Sequence, residues 1–455
     1  YSIRETLNAV IPDIPSLQSV VVVSRNTPSS GADTLRFHSV WTWDEFVSTT
    51  DAVKFAFDHF PFDHPLFIMY SSGTTGLPKC IVHGAGGTLL QHHKEHALHT
   101  DIGPEDVVFY YTTCGWMMWN WLASVLAQQA TIVLYEGSPG FPSLNVLWDL
   151  TEEAGITVFG TSPKFLSQNL KQEMNPSTSH DFSSLRTILS TGAPLDKECF
   201  TWIYDKVKKD VQLSSICGGT DIISCFMLGN PMLPVRMEEI QCLGLGMDVA
   251  ALDEGNRPVF NQIGELASPS PAPSMPIAFW DDPGDDKYIQ AYFDKVPGVW
   301  IHGDFIAIGD HGGITVYGRS DTTLNPGGIR IGTAEIYRIV ESMEEVAESV
   351  VIGVEEDHDI CMILFIVLHS KTDSLSLVSE NIKQRLRKEA SPRHVPREIY
   401  QIREVPKTLN GKKMELAIRD LFQGKKVHNK ASVANPDCLQ EFEEIYSRRL
   451  VVNGG

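Results

Sequence analysis

From Thr131 to Gly192 the chain alternates short apolar strand-formers with helix-forming stretches. "TIVLY" (131–135) leads through a Gly/Pro loop into "SLNVLWDLTEEAG", where Ser143 offers a helix cap and Gly155 a left-handed stop. "ITVFG" (156–160) is followed by "TSPKFLSQNLKQ", with Ser162 before Pro163 as cap and preformed first turn. "RTILSTG" (186–192) then returns to strand character. Strands separated by helices need crossover connections, which give parallel pairing, so this stretch is expected to be α/β around a largely parallel sheet. Ligands of such sheets collect in loops beyond the strand ends.

Around this region the texture changes. Residues 256–303 are rich in Pro and Gly with short apolar runs, the pattern of a small β subdomain. After "YGRSD" (317–321) come a helix in "GTAEIYRIVESM", strands in "SVVIGV" and "CMILFIVL", a helix in "VSENIKQRLRKEA" and a basic loop "PKTLNGKK". That is a compact α+β module of about 100 residues. The expected division is a large domain over 1–319, a small one over 320–427 and a polar tail over 428–455. A chain of 455 residues is too long for one simple core.

A net charge of −20 disfavours nucleic acid and anionic membrane as partners, while leaving room for small anions in a locally positive pocket. The eight cysteines are scattered without a CxxC pair, which argues against a zinc ribbon or disulfide framework and fits a reducing compartment. "CMILFIVL" is far too short to span a membrane. The opening residues lack the basic-then-apolar form of a signal peptide, and "VVNGG" is no targeting address, so the cytosol is expected.

Chemistry concentrates in "YSSGTTGLPK", Tyr70–Lys79. Hydroxyls, glycines and a lysine in ten residues suit a loop that wraps phosphate oxygens, though the same residue types also make polar surface turns. It is no Walker loop, because Pro78 precedes Lys79 and Cys80 follows it. The stretch closely resembles the signature loop of the acyl-adenylating superfamily, the enzymes that activate carboxylic acids with ATP. Further segments resemble that superfamily in order: "STGAP" (190–194), "CGGTD" (217–221), "GEL" (264–266), "WIHGD" (300–304), "GRSDTTLNPGGIRIGTAEI" (318–336) and "PKTLNGK" (406–412).

The resemblance implies roles residue by residue. Ser71, Ser72, Gly73, Thr74, Thr75, Gly76 and Lys79 would bind phosphate, and Gly192, Ala193 and Pro194 would line the adenine. Thr220 and Asp221 would meet phosphate and Mg²⁺ beside Gly219, aspartate supplying a hard oxygen ligand. Asp304 would accept the ribose hydroxyls, with Arg319 near ribose and phosphate. Asp321 would be the hinge, and Lys412 the catalytic lysine of a mobile small domain. Arg330 and Arg387 would approach CoA. Taken singly, each residue has an ordinary structural reading: Asp304 a turn, Lys412 a solvated lysine, Arg319 a surface ion pair, Asp321 a cap, Arg387 a helix charge, Trp116 core. Their order is what speaks for the common site.

The implied chemistry is attack of a carboxylate on the α-phosphorus of ATP, giving an acyl-adenylate and pyrophosphate, then displacement of AMP by the thiol of CoA. Developing charge at phosphorus calls for a cationic clamp and a metal. "KCIVHGAGGTLL" and "GGIRIGTAEIY" are similar to the acetyl-CoA synthetase branch, which carries a tryptophan where this chain has Gly218. Losing an indole there is expected to open a pocket, flanked by Trp116, to an acid longer than acetate. Together with "SPRHVP" and "VANPDCL", this most resembles the acetoacetate–CoA ligases, with acetoacetate, ATP and CoA as partners and no obligatory protein partner. A ligase for another short-chain acid stands as the alternative. So does an impaired form that binds nucleotide without turnover, because the loop begins at Tyr70 whereas the family carries a longer N-terminal part. Cys80 and Cys217 also replace a glycine and an aromatic residue usual in the family.

Overall fold

The computed structural model describes residues 4–23, 35–48, 56–71, 79–320, 324, 331–356, 359–369, 374–408, 411–425 and 433–453. The chain divides into two compact units, Tyr1–Phe60 and Pro61–Gly455. The first holds the helices Arg4–Val10 and Trp43–Ser48 and a parallel pair of strands, Val20–Val22 and Val40–Thr42. No boundary at that point is visible in the composition. The expected 1–319 unit therefore divides near its start.

The second unit is built on a seven-stranded sheet. Four of its strand pairs are parallel and link Thr131–Val133, Val107–Tyr110, Val158–Thr161, Thr187–Thr191 and Gln212–Gly219 in that spatial order. Ser224–Leu228 and Cys242–Leu243 then add an antiparallel edge. The helices Val146–Glu153 and Pro163–Lys171 lie between strands, as the alternating pattern predicts. Leu147, Trp148, Phe159, Phe165, Leu166 and Phe200 pack into one core on the sheet. The first of these helices starts two residues later than expected, with Asn145 at the cap and its N–H donating to Ser143 Oγ at 3.3 Å.

A five-stranded antiparallel sheet carries Gly264–Ser268, Trp300–Ile308 and Ile314–Arg319, in line with the expected β subdomain. A three-stranded antiparallel sheet joins Pro65–Ser71, Lys79–Gly84 and Ala278–Phe279. Beyond Val316 the apolar core changes. Leu324 to Leu386 form one cluster, and Val350 to Ile445 another, on either side of the strands Val346–Glu356, Asp359–Leu368 and Glu398–Gln401.

One expectation fails at the end of the chain. Most of the segment assigned to a polar tail is the helix Leu439–Asn453. Leu439, Phe442 and Ile445 recur at helical spacing and are buried. Arg449, almost fully buried, donates to both Glu398 oxygens and pairs with Glu356, with Cys361 Sγ 3.7 Å away. A charged residue surrounded by hydrophobic spacing is easily read as solvated surface, yet here its guanidinium is the counter-ion of two carboxylates.

Candidate active site

The strands Pro65–Ser71 and Lys79–Gly84 pair antiparallel with Ser71 opposite Lys79, so the hydroxyl-rich loop leaves and returns at adjacent points. Ser72, Gly73, Thr74, Thr75 and Gly76 lie outside the described residues, as do Asp321 and Arg330. Ser71 is described, and its hydroxyl is buried without a hydrogen-bond partner among the described residues.

Lys79 reaches across the sequence to Asp221. Its Nζ lies 2.5 Å from Asp221 Oδ1, and the Tyr292 hydroxyl donates to the same oxygen at 2.5 Å. The ammonium also sits 4.7 Å from the centre of the Tyr292 ring. That ring stacks on Trp300, centroids 3.5 Å apart, which fixes the hydroxyl in place. Burial by itself would raise the pKa of Asp221. The Lys79 charge, the nearby His302 and the two hydrogen bonds outweigh it and hold the carboxyl well below the usual aspartate range. Burial and the Asp221 charge push the Tyr292 hydroxyl far up, so it remains a donor.

The second half of the site comes from the antiparallel sheet. Register sets Asp304 opposite Arg319. Asp304 lies 3.4 Å from His302 Nε2 and 3.9 Å from Arg319 Nη1, while Arg319 Nη1 donates to the His302 carbonyl at 3.3 Å. Gly303 has φ +88, a conformation that calls for glycine, and a Cβ there would stand 2.8 Å from Arg319 Nη2 and push the guanidinium aside. His302 is buried edge-on against Phe226, and burial lowers its basicity despite the charges of Asp304 and Asp221. Gly219 links the halves: a Cβ on it would be 3.5 Å from both Asp221 Oδ2 and His302 Cε1.

Lys412 belongs to the same neighbourhood. Burial raises the Cys217 thiol and the Asp304 charge adds to that, while the charges of Lys412 and Arg319 act against it. The charge of Lys412 therefore reaches the strand that leads into Thr220 and Asp221. Three lysines lie in "PKTLNGKK", and the structure separates them. Lys407 is 2.5 Å from both oxygens of Glu348. Lys413 pairs with Glu341 at 2.6 Å and covers the Tyr337 ring at 3.4 Å. Lys412 is exposed and has no ion pair among the described residues.

Gly192, with φ +105, and the exposed Ala193 and Pro194 follow the strand Thr187–Thr191. Trp116 borders them, its Cζ2 3.7 Å from where a Gly192 Cβ would lie, and it meets Tyr110 edge-on at 6.0 Å. One expectation is not met. A Cβ at Gly218 would collide with the neighbouring strand, 2.1 Å from the Ser224 carbonyl oxygen and 2.4 Å from Cys225 Cα. The glycine thus allows two backbones to approach, and its missing side chain leaves no open pocket in that direction. Arg387, expected to approach CoA, is exposed in the last turn of Leu375–Glu389.

Tyr292 and His302 escaped the sequence reading. His302 stands inside "WIHGD", where only the aspartate drew notice. Tyr292 comes from the helix Asp286–Tyr292, in a stretch with no motif to mark it.

Residues 4–275 match the family described as AMP-binding enzyme, and residues 335–412 match the AMP-binding enzyme C-terminal domain. The chain belongs to the AMP-binding enzyme family. Among its relatives is the acetoacetyl-coenzyme A synthetase of Rhizobium meliloti, 51% identical over 88% of this chain and 62% of the relative. The acetoacetyl-CoA synthetase of Gallus gallus is 44% identical over 97% of this chain and 67% of its own length. The solved acetoacetyl-CoA synthetase of Streptomyces lividans superposes with a TM-score of 0.90 at 40% identity, covering 99% of this chain and 68% of that one. This AMP-binding enzyme chain thus spans about two thirds of the length of the relatives it matches.

Proposed function

We propose that the chain ligates acetoacetate to CoA at the expense of ATP, through an acyl-adenylate, releasing AMP and pyrophosphate. The observation that carries the reading is the convergence of Lys79, Asp221, Tyr292, Asp304 and Arg319, spread over 240 positions of the chain, with the charge of Lys412 acting on the same strand. The names of the similar proteins support acetoacetate as the acid.

In this reading the loop from Ser71 to Lys79 (Ser72, Gly73, Thr74, Thr75 and Gly76 included) holds the phosphates of ATP, and Gly192, Ala193 and Pro194 border the adenine beside Trp116. Asp304, half-buried, accepts the ribose hydroxyls, and Arg319 neutralises charge beside it. Lys412 clamps the α-phosphate as the carboxylate attacks. Mg²⁺ is typical of such chemistry, where it neutralises charge on the departing pyrophosphate. The donors suit a hard cation: Asp221 is held ionised, its Oδ1 engaged by Lys79 and Tyr292 while Oδ2 makes no hydrogen bond among the described residues, and the Thr220 hydroxyl is adjacent. Tyr292 and Lys79 orient that carboxylate. Cys217, half-buried and with its thiol pushed up by desolvation and the Asp304 charge, stays a thiol and takes no part as a nucleophile.

The large and small domains of this reading meet near 319–320, with Asp321 as hinge and Arg330 facing CoA. Rotation of the small domain would withdraw Lys412 between the half-reactions. The expected compartment is the cytosol, and among the described residues no helix is long and apolar enough to cross a membrane. The test is pyrophosphate release with a panel of short carboxylic acids, in the chain and in Lys412→Ala. Release that depends on acetoacetate and disappears in the variant supports the reading. Release driven equally by acetate, or undiminished in the variant, overturns it.

A further inference from the structure

The segment that follows the phosphate loop runs alongside the segment that carries Thr220 and Asp221, and it touches that segment at every step. Lys79 meets Asp221. Four residues later, His83 Nε2 lies 2.8 Å from the Thr220 carbonyl oxygen. From the helix Ala85–Lys94, His92 Nε2 lies 2.5 Å from the Ile223 carbonyl oxygen. Glu95 then accepts from the Ser224 hydroxyl. The short helical turn Thr220–Ile222 is thereby held at both ends and at its carboxylate.

Carbonyl oxygens only accept, so both imidazoles carry their proton on Nε2. Both are completely buried, and burial lowers their basicity, that of His83 to about 4. They act as neutral donors at ordinary pH. His92 is itself steered: its Nδ1 lies 2.9 Å from Ser124 Oγ, which is 2.8 Å from His96 Nε2. Glu95 is oriented by Trp121 Nε1 at 3.0 Å and Gln91 Nε2 at 3.2 Å.

The turn needs such holding. Ile223 has φ +46, the left-handed region, which a β-branched residue occupies at a cost of about 1–3 kcal/mol unless its surroundings impose it. Without the His92 bond the cheaper conformation of Ile223 would rotate the preceding peptides, and Asp221 with them. Position matters at this site, since a shift of about 1 Å in a catalytic group costs on the order of 100-fold in rate.

We propose that His83 and His92 are positioning residues for adenylate formation, clamping the Thr220–Ile223 turn so that Thr220 and Asp221 face the phosphate loop. This rests on the proposed ligase activity. The test compares His83→Leu and His92→Leu with His83→Gln and His92→Gln, since glutamine places a donor where Nε2 stands and leucine does not. Two half-reactions are read separately: acetoacetate-dependent pyrophosphate release, and thioester formation from preformed acyl-adenylate, which makes no use of the pyrophosphate site. The leucine variants should lose about 10- to 100-fold in the first with a raised Mg²⁺ requirement, stay within about threefold in the second, and be restored at least about fivefold by glutamine. Hydrogen exchange of the 220–224 amides should rise in the leucine variants and return toward normal in the glutamine ones. Equal loss in both half-reactions, or glutamine no better than leucine, overturns the proposal. Should the leucine variants fail to fold, Ser124→Ala leaves both imidazoles in place and removes the hydroxyl that meets His92, His96 and the Trp121 carbonyl. It should slow the first half-reaction selectively, and an unchanged or uniform effect overturns the proposal as well. Wild-type chain that releases no pyrophosphate with any acid refutes the ligase reading instead, and the hydrogen-exchange comparison still decides the clamp.

Discussion

Replacing Tyr292 by Phe deletes one oxygen and leaves the rest of the site in place. The ring still stacks on Trp300 at 3.5 Å and still faces the Lys79 ammonium at 4.7 Å. What disappears is a hydrogen bond of 2.5 Å to an ionised, mostly buried carboxylate. Bonds to charged groups contribute about 1.5–3 kcal/mol, and no cavity term is added because no methylene is removed. Urea unfolding should show a stability loss in that range, with unchanged dependence on denaturant concentration. Asp221 titrates below the 3.8 usual for aspartate, so the stability linked to it is fully present above that pH and is lost as pH falls through the depressed value. The Tyr292→Phe deficit should therefore be complete at neutral pH and close in acid. Adenylate formation should slow by about 10- to 100-fold, the same energy expressed as a barrier. A stability change below about 0.5 kcal/mol, or a deficit that persists unchanged into acid, would refute the assignment of Tyr292 as the donor that orients Asp221.

Other perturbations separate local roles. Lys412→Ala should lower acetoacetate-dependent pyrophosphate release by at least about 100-fold while sparing thioester formation from preformed adenylate, measured by single turnover. Gly218→Ala drives a Cβ into the Ser224 carbonyl; thermal melting should show about 1–3 kcal/mol of overpacking loss, and the acid panel should not narrow toward acetate. Arg449→Met strips the shared counter-ion from Glu356 and Glu398, so urea unfolding should register a loss of about 3–5 kcal/mol.

Periodicity made the parallel sheet and the two central helices of the small domain legible, because burial on one face imposes a repeat that a sequence must obey. Motif order led to Lys79, Asp221, Asp304 and Arg319, whose neighbours the structure supplies. Tyr292 was not legible, since its role depends on a helix folding back from a distant stretch onto Trp300. Gly218 was misread because a missing side chain has two meanings, an open pocket or a close backbone, and only the position of Ser224 and Cys225 separates them. The final helix was hidden by its charges: Arg449 looks solvated until its two carboxylate partners are known. The same limit applies to His83 and His92, whose role rests on the carbonyls they meet and leaves no mark in the sequence.

The most direct measurement is exchange of labelled pyrophosphate into ATP by the chain, scored acid by acid. The account predicts exchange that requires acetoacetate and exceeds that with acetate by at least about tenfold, which corresponds to roughly 1.4 kcal/mol of discrimination. Exchange that is equal with acetate, or independent of any carboxylate, would contradict it.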